Sequence, residues 1–109
     1  MATEYKILGQ VTPNANTLTN VYVTGASTQS IIGTITINNL SDSNAAYSLV
    51  VRPSADAFNT RHYIIRGGIV PARELITITG AVAMNSSVVL AANTNSGSLT
   101  FNAYGAEIV

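Results

Sequence analysis

The chain has 109 residues, of which 47% are hydrophobic, only 9% charged and none cysteine, with a formal net charge of zero. That length fits one domain with a modest core; the missing cysteines exclude a disulfide framework and a thiolate metal site, and no basic run is present to hold a phosphate backbone. Ordinary soluble proteins carry about 25% charged residues; here Thr, Ser and Asn supply the polar side, a composition that fits either a surface covered by other chains or a small β domain with polar strands.

The first ten residues contain no apolar run of signal-peptide length, and no stretch of the chain approaches the ~18 apolar residues of a membrane helix. Residues 4–10 predict a short first strand in which Tyr5, Ile7 and Leu8 place apolar groups on both faces. A terminal edge strand normally leaves one face to water, so this one is expected to be covered on both and to contact a neighbour. Pro13 and the Asn residues after it make residues 11–19 a loop. That loop either lets the first strand lie away from the main body or returns it to pair within its own sheet. Residues 20–24 predict a second strand and residues 25–29 a turn.

Residues 30–52 organise the rest. Ile31, Gly33, Ile35 and Ile37 alternate with Ser30, Thr34, Thr36 and Asn38, with one slip at Ile32. This period of two marks a half-buried strand. Tyr47, Leu49 and Val51 repeat the pattern after the polar loop 39–44, whose Asn, Asp and Ser favour turns. The expected unit is a hairpin with Ile35, Ile37, Leu49 and Val51 as its buried face. Further on, residues 61–66 predict a strand ended by Gly67 and Gly68. Pro71 marks a bend, and residues 74–79 predict a strand with Ile76 and Ile78 on one face, ended by Gly80. Residues 86–91 form another predicted strand, residues 93–97 a turn, and residues 98–104 a closing strand with Leu99, Phe101 and Ala103 on one face. No window of useful length has the 3.6-residue period of a helix; residues 54–60 have room for a single turn. The expectation is an all-β, single-domain antiparallel sandwich of about eight short strands, its topology jelly-roll or immunoglobulin-like.

Few residues suggest chemistry. The only histidine, His62, has Asp56 as its nearest acid in sequence, and one histidine cannot build a usual zinc site. No carboxylate pair, calcium loop, nucleophile elbow or phosphate loop is present, so no enzyme, cofactor or metal is expected. Arg52, Arg61 and Arg66 lie close in sequence. They read either as scattered solubilising charge or, if gathered at one end of the sandwich, as a dock for an acidic partner. Asn39-Leu-Ser41 and Asn85-Ser-Ser87 match the glycosylation pattern, which without a secretion signal reads as chance.

Several stretches together carry a resemblance: Tyr5-Lys-Ile-Leu-Gly-Gln10 with Pro13 and the run to Val21-Tyr22; Tyr47-Ser-Leu-Val-Val-Arg-Pro53; His62-Tyr-Ile-Ile65; Ile69-Val-Pro-Ala72; and Leu99-Thr-Phe-Asn-Ala-Tyr-Gly-Ala-Glu107. In these strand-and-turn patterns the chain resembles small virion structural proteins of tailed bacteriophages, including phages of cyanobacteria. The resemblance carries no catalytic residues. It implies a capsid decoration (cement) protein or a small tail, neck or fibre component, made in the host cytoplasm and housed in the virion. The implied partners are the major capsid protein or tail and neck proteins, with self-association favouring a trimer and no contact with nucleic acid or membrane. Tyr5, Ile7, Leu8, Arg52, Arg61 and Arg66 are the expected assembly contacts. A carbohydrate-binding module is a separate reading, supported by five tyrosines and weakened by the absence of tryptophan.

Overall fold

The computed structural model describes residues 3–108. It contains eight strands: β1 (Thr3–Val11), β2 (Thr19–Val23), β3 (Gln29–Asn39), β4 (Ala45–Pro53), β5 (Tyr63–Val70), β6 (Leu75–Met84), β7 (Val88–Thr94) and β8 (Leu99–Ile108), with one 3₁₀ turn at Thr60–His62. The expected all-β sandwich is therefore what the chain forms. Two four-stranded antiparallel sheets have the orders β1-β8-β3-β6 and β2-β7-β4-β5; they are called the first and second sheet below. Antiparallel pairs β1/β8, β2/β7, β3/β6 and β4/β5 nest inside one another. The chain is thus one long hairpin rolled into two layers, which is the jelly-roll topology rather than the immunoglobulin one.

Alternation builds the core. Val11, Phe101, Ile37 and Ile76 are register partners across the first sheet, and Val51 with Leu90 and Leu49 with Ala92 across the second. Ile37, Leu49, Leu90, Leu99 and Phe101 are fully buried, while Val51, Ile76 and Ile78 pack half-buried against them. The rings of Tyr47 and Phe101 meet edge to face across the layers, 6.3 Å between centroids, a favoured aromatic geometry. All eight side chains expected to line the core do so.

The central hairpin is corrected. β3 lies in the first sheet and β4 in the second, so residues 40–44 arch from one layer to the other. Alternation shows that two strands share a core, but not whether they are neighbours in a sheet or face each other across it. The hairpin of consecutive strands is β4–β5 instead. Asn39 holds the arch. It is 1% exposed, its Nδ2 donates to the carbonyls of Ser43 (2.8 Å) and Val70 (3.1 Å), and its Oδ1 accepts from Ser41 N (2.9 Å) and Oγ (2.8 Å). Burying an amide is tolerable only when its bonding capacity is used this fully. Asn39 is therefore unavailable as a glycosylation acceptor in the folded chain.

Three glycines expected to end strands lie inside them. Gly67 and Gly68 interrupt the β4–β5 register as a bulge, with Gly67 at φ +73°, and β5 continues to Val70. β6 likewise runs through Gly80, at φ +149°, to Met84. Positive φ suits glycine, and a bulge uses it to bend a strand without ending it. The slip at Ile32 is also a bulge, between Ile32 and Thr34. It sends Ile32 inward and leaves Ile31 outside, 42% exposed, whereas simple alternation puts Ile31 on the face of Ile35 and Ile37.

Candidate interaction surface

β1 does not lie apart from the sandwich. It pairs with β8 from Thr3 to Val11 and forms one edge of the first sheet. Up to Leu8 its side chains alternate between two faces, and its register shifts between Ile7 and Gly9. Tyr5 (86% exposed) and Ile7 (55%) stand on the outer face, and Leu8 turns half-buried onto the core. Lys6 points the other way from Tyr5, toward the gap between the sheets.

The outer face of the first sheet is divided. At one end polar side chains pair across strands: Gln10 Nε2 donates to Asn102 Oδ1 (2.8 Å), and Thr12 and Thr100 hydroxyls meet at 3.1 Å. Such pairs satisfy their own polar groups and leave a hydrated ladder. At the other end Tyr5 is opposite Ala106, which is opposite Ile31. Tyr5, Ile31, Gly33, Gly105, Ala106 and Ile108 line an open groove of about 320 Å³. Ile7 and Tyr104, themselves register partners, extend it. A Cβ on Gly105 would lie 2.0 Å from the carbonyl oxygen of Ile31, so glycine there lets β8 and β3 pack close and keeps the groove floor open. This continuous apolar patch adjoins the unpaired edge of β1.

Beneath the patch, Lys6 forms ion pairs with Glu107 and, at 3.6 Å, with Glu4. Tyr22 of the second sheet donates its hydroxyl to Glu107, and Thr24 and Ser30 hydroxyls share a buried hydrogen bond of 3.0 Å. These contacts close the end of the sandwich. Hydrogen bonds from Lys6 and Tyr22 hold the Glu107 carboxyl below its usual range, while burial, and then Glu107, push the Tyr22 phenol up.

The arginines fare differently. Arg52 donates to the carbonyls of Pro53 (3.4 Å), Ser54 (3.5 Å) and Asp56 (2.8 Å), which ties its guanidinium to its own loop. Arg61 approaches Asp56 Oδ2 at 3.4 Å, and Arg66 lies 5.5 Å from the centre of the Tyr63 ring. Arg52 and Arg61 thus converge on Asp56, while Arg66 extends across Tyr63. Tyr63, under Arg66, packs on a small apolar cluster of Val50, Val89 and Ala91, and Phe58 sets its ring 5.2 Å from that of Tyr63. His62 belongs to the 3₁₀ turn rather than to the strand. It is 6% exposed, and its Nδ1 accepts the Asn59 N–H at 2.9 Å in a capping box. The histidine thereby fixes the loop.

Among the described residues no three His, Cys, Asp or Glu side chains gather as a metal site would require. A wide, open concavity of about 830 Å³ is lined by Ala26, Ser27, Thr28, Gln29, Asn85, Ser86 and Ile108. Those side chains supply hydroxyls and amides but no acid or base for proton transfer. Comparison with protein-family models, curated proteins and solved structures finds no match to this chain. Of the expected contacts, Tyr5 and Ile7 lie in the patch. Sequence reasoning missed Ile31, Tyr104, Ala106 and Ile108; the slip at Ile32 was the signal that turned Ile31 outward.

Proposed function

We propose that this chain is a non-enzymatic structural protein of a tailed-phage particle. Its first reading is a capsid decoration protein that stabilises the head, and its second a small tail, neck or fibre adaptor. The observation that carries the proposal is the apolar patch of Tyr5, Ile7, Ile31 and Tyr104 beside an open strand edge. Such a patch on a low-charge domain fits a surface that other chains cover. The jelly-roll topology, which capsid domains also use, adds an analogy at the level of fold alone. The resemblance in the strand and turn sequences points the same way. On this reading the partner is the major capsid protein, or a tail or neck protein, and contact is through apolar side chains and backbone groups. The protein works in the virion after synthesis in the host cytoplasm, without cofactor, and associates with itself. Lectins also use jelly rolls, and Tyr5 is exposed enough to stack on a sugar ring, which supports a carbohydrate-binding module as the reading from another class.

Quantitative mass spectrometry of purified particles from the phage that encodes the chain tests this. A high, fixed copy number with co-sedimentation on capsids is the outcome for decoration, and a low copy number that for a tail component. Absence from the particle, with glycan binding by the isolated protein, overturns the proposal in favour of the carbohydrate module.

A further inference from the structure

We infer that two copies of this chain join edge to edge through β1, antiparallel, about a two-fold axis at Tyr5. The inference stands independently of the particle reading and puts a two-fold dimer in place of the trimer that the resemblance implies. β1 ends the first sheet, so its outer backbone groups face no strand among the described residues. Ile7 and Gly9 bracket a bulge, which limits regular pairing with a new strand to residues 3–7.

Backbone groups of a strand point alternately to its two sides, so every second residue of β1 bonds to β8 and the others face outward. Two copies of one edge must match their outward residues. In an antiparallel self-pairing this forces the two numbers of each facing pair to sum to an even value. Three even sums pair more than one residue within the usable window. A sum of eight sets Glu4 against the partner's Glu4, and a sum of twelve sets Lys6 against the partner's Lys6. Like charges directly opposite destabilise a sheet. A sum of ten sets Glu4 against the partner's Lys6 and Lys6 against the partner's Glu4, with Tyr5 facing Tyr5. This register alone pairs every residue from Thr3 to Ile7. It also brings Tyr5, Ile7 and their copies onto one outer face, which extends the apolar patch across the axis. The contact is isologous and closes at two copies, because each β1 edge is used once.

The cysteine-free chain allows a direct test. Directly opposed residues of an antiparallel pair have Cα atoms about 4.5–5.5 Å apart, within disulfide reach. Tyr5 is 86% exposed, so Tyr5→Cys leaves the fold intact. Under mild oxidation Tyr5→Cys is expected to cross-link to itself. Thr3→Cys and Ile7→Cys are each expected to stay single, yet to cross-link with each other when mixed. Sedimentation of the unmodified protein should show a concentration-dependent dimer, and Lys6→Glu should shift it to monomer. The charge-swapped pair Glu4→Lys with Lys6→Glu should restore it. A wild-type protein that stays monomeric at high concentration, or forms a trimer, overturns the inference. So does preferential self-cross-linking at Thr3→Cys or Ile7→Cys. A dimer formed by a protein absent from particles leaves this inference standing and removes only the particle reading.

Discussion

Gly9 of the first sheet touches Val21 of the second backbone to backbone: a Cβ on Gly9 would lie 2.0 Å from the Val21 carbonyl oxygen and 3.3 Å from the Tyr22 Cβ. Only hydrogen fits there. The contact seals the side of the sandwich where β1 and β2 run past each other. The register of β1 breaks beside this contact, between Ile7 and Gly9.

Gly9→Ala is therefore expected to destabilise the protein by about 1–3 kcal/mol, the usual cost of forcing atoms into a packed site. Gly97→Ala is its control, because a Cβ at Gly97 meets nothing within 4 Å; it should change stability by less than about 0.5 kcal/mol. Urea unfolding of the two variants checks the contrast, and equal effects would sink the steric argument.

Ile37 and Phe101 are register partners on the inner face and both are fully buried. Truncating either to Ala should cost roughly 2–5 kcal/mol, the lost transfer energy plus the cavity left behind. A loss below about 0.5 kcal/mol at both sites would reject their place in the core.

Asn39→Ala should cost about 1–3 kcal/mol, because it strips buried partners at the arch of their hydrogen bonds. Asn39→Asp is expected to be worse than neutral too: its carboxylate would face the carbonyl oxygens of Ser43 and Val70, which the amide now donates to. Chemical denaturation measures both. Variants as stable as the parent would show that the arch does not depend on this side chain.

The Glu107 carboxyl is held below its usual range by hydrogen bonds from Lys6 and Tyr22. A group with a lowered folded pKa stabilises the fold fully above its unfolded pKa, near 4.5 for this carboxyl. That contribution disappears as pH falls through the lower folded value. Stability should drop across the acid range, and Glu107→Gln should flatten that part of the profile while having little effect on its shape near neutrality. Thermal melts from neutral pH down to pH 3 follow it; identical acid slopes in the two proteins would contradict the assignment.

How much of this was legible in the sequence differs by element. Alternation at Ile35, Ile37, Leu49, Phe101 and their neighbours identifies the inner faces, because burial on one side of a strand leaves a period of two. The pairing of β3 with β6 and β8 leaves no such trace, since any strand with the right inner face satisfies the same pattern. The bulges at Gly67, Gly68 and Gly80 read as strand ends because a turn and a bulge call on the same residue for the same reason, tolerance of unusual backbone angles. Tyr5 and Ile7 were legible as exposed apolar groups; their neighbours Tyr104 and Ile108, nearly a hundred residues along the chain, were not. Asn39 read as a turn residue, and only the folded arch shows it as a buried anchor. The Lys6–Glu107 pair likewise joins opposite ends of the chain and has no local signature.

The nesting of strands also sets an order in time. β4 and β5 are close in sequence and can pair early, whereas β1 must wait for β8, the last of the eight strands to leave a ribosome. Until then β1 has an apolar outer face, an apolar Leu8 and both backbone edges unpaired. Chains at this stage have the means to pair with each other instead, and topologies dominated by distant contacts fold slowly enough to allow it. Lys6 and Glu4 are the only charges on that waiting strand, so they also serve as its protection against indiscriminate pairing during synthesis.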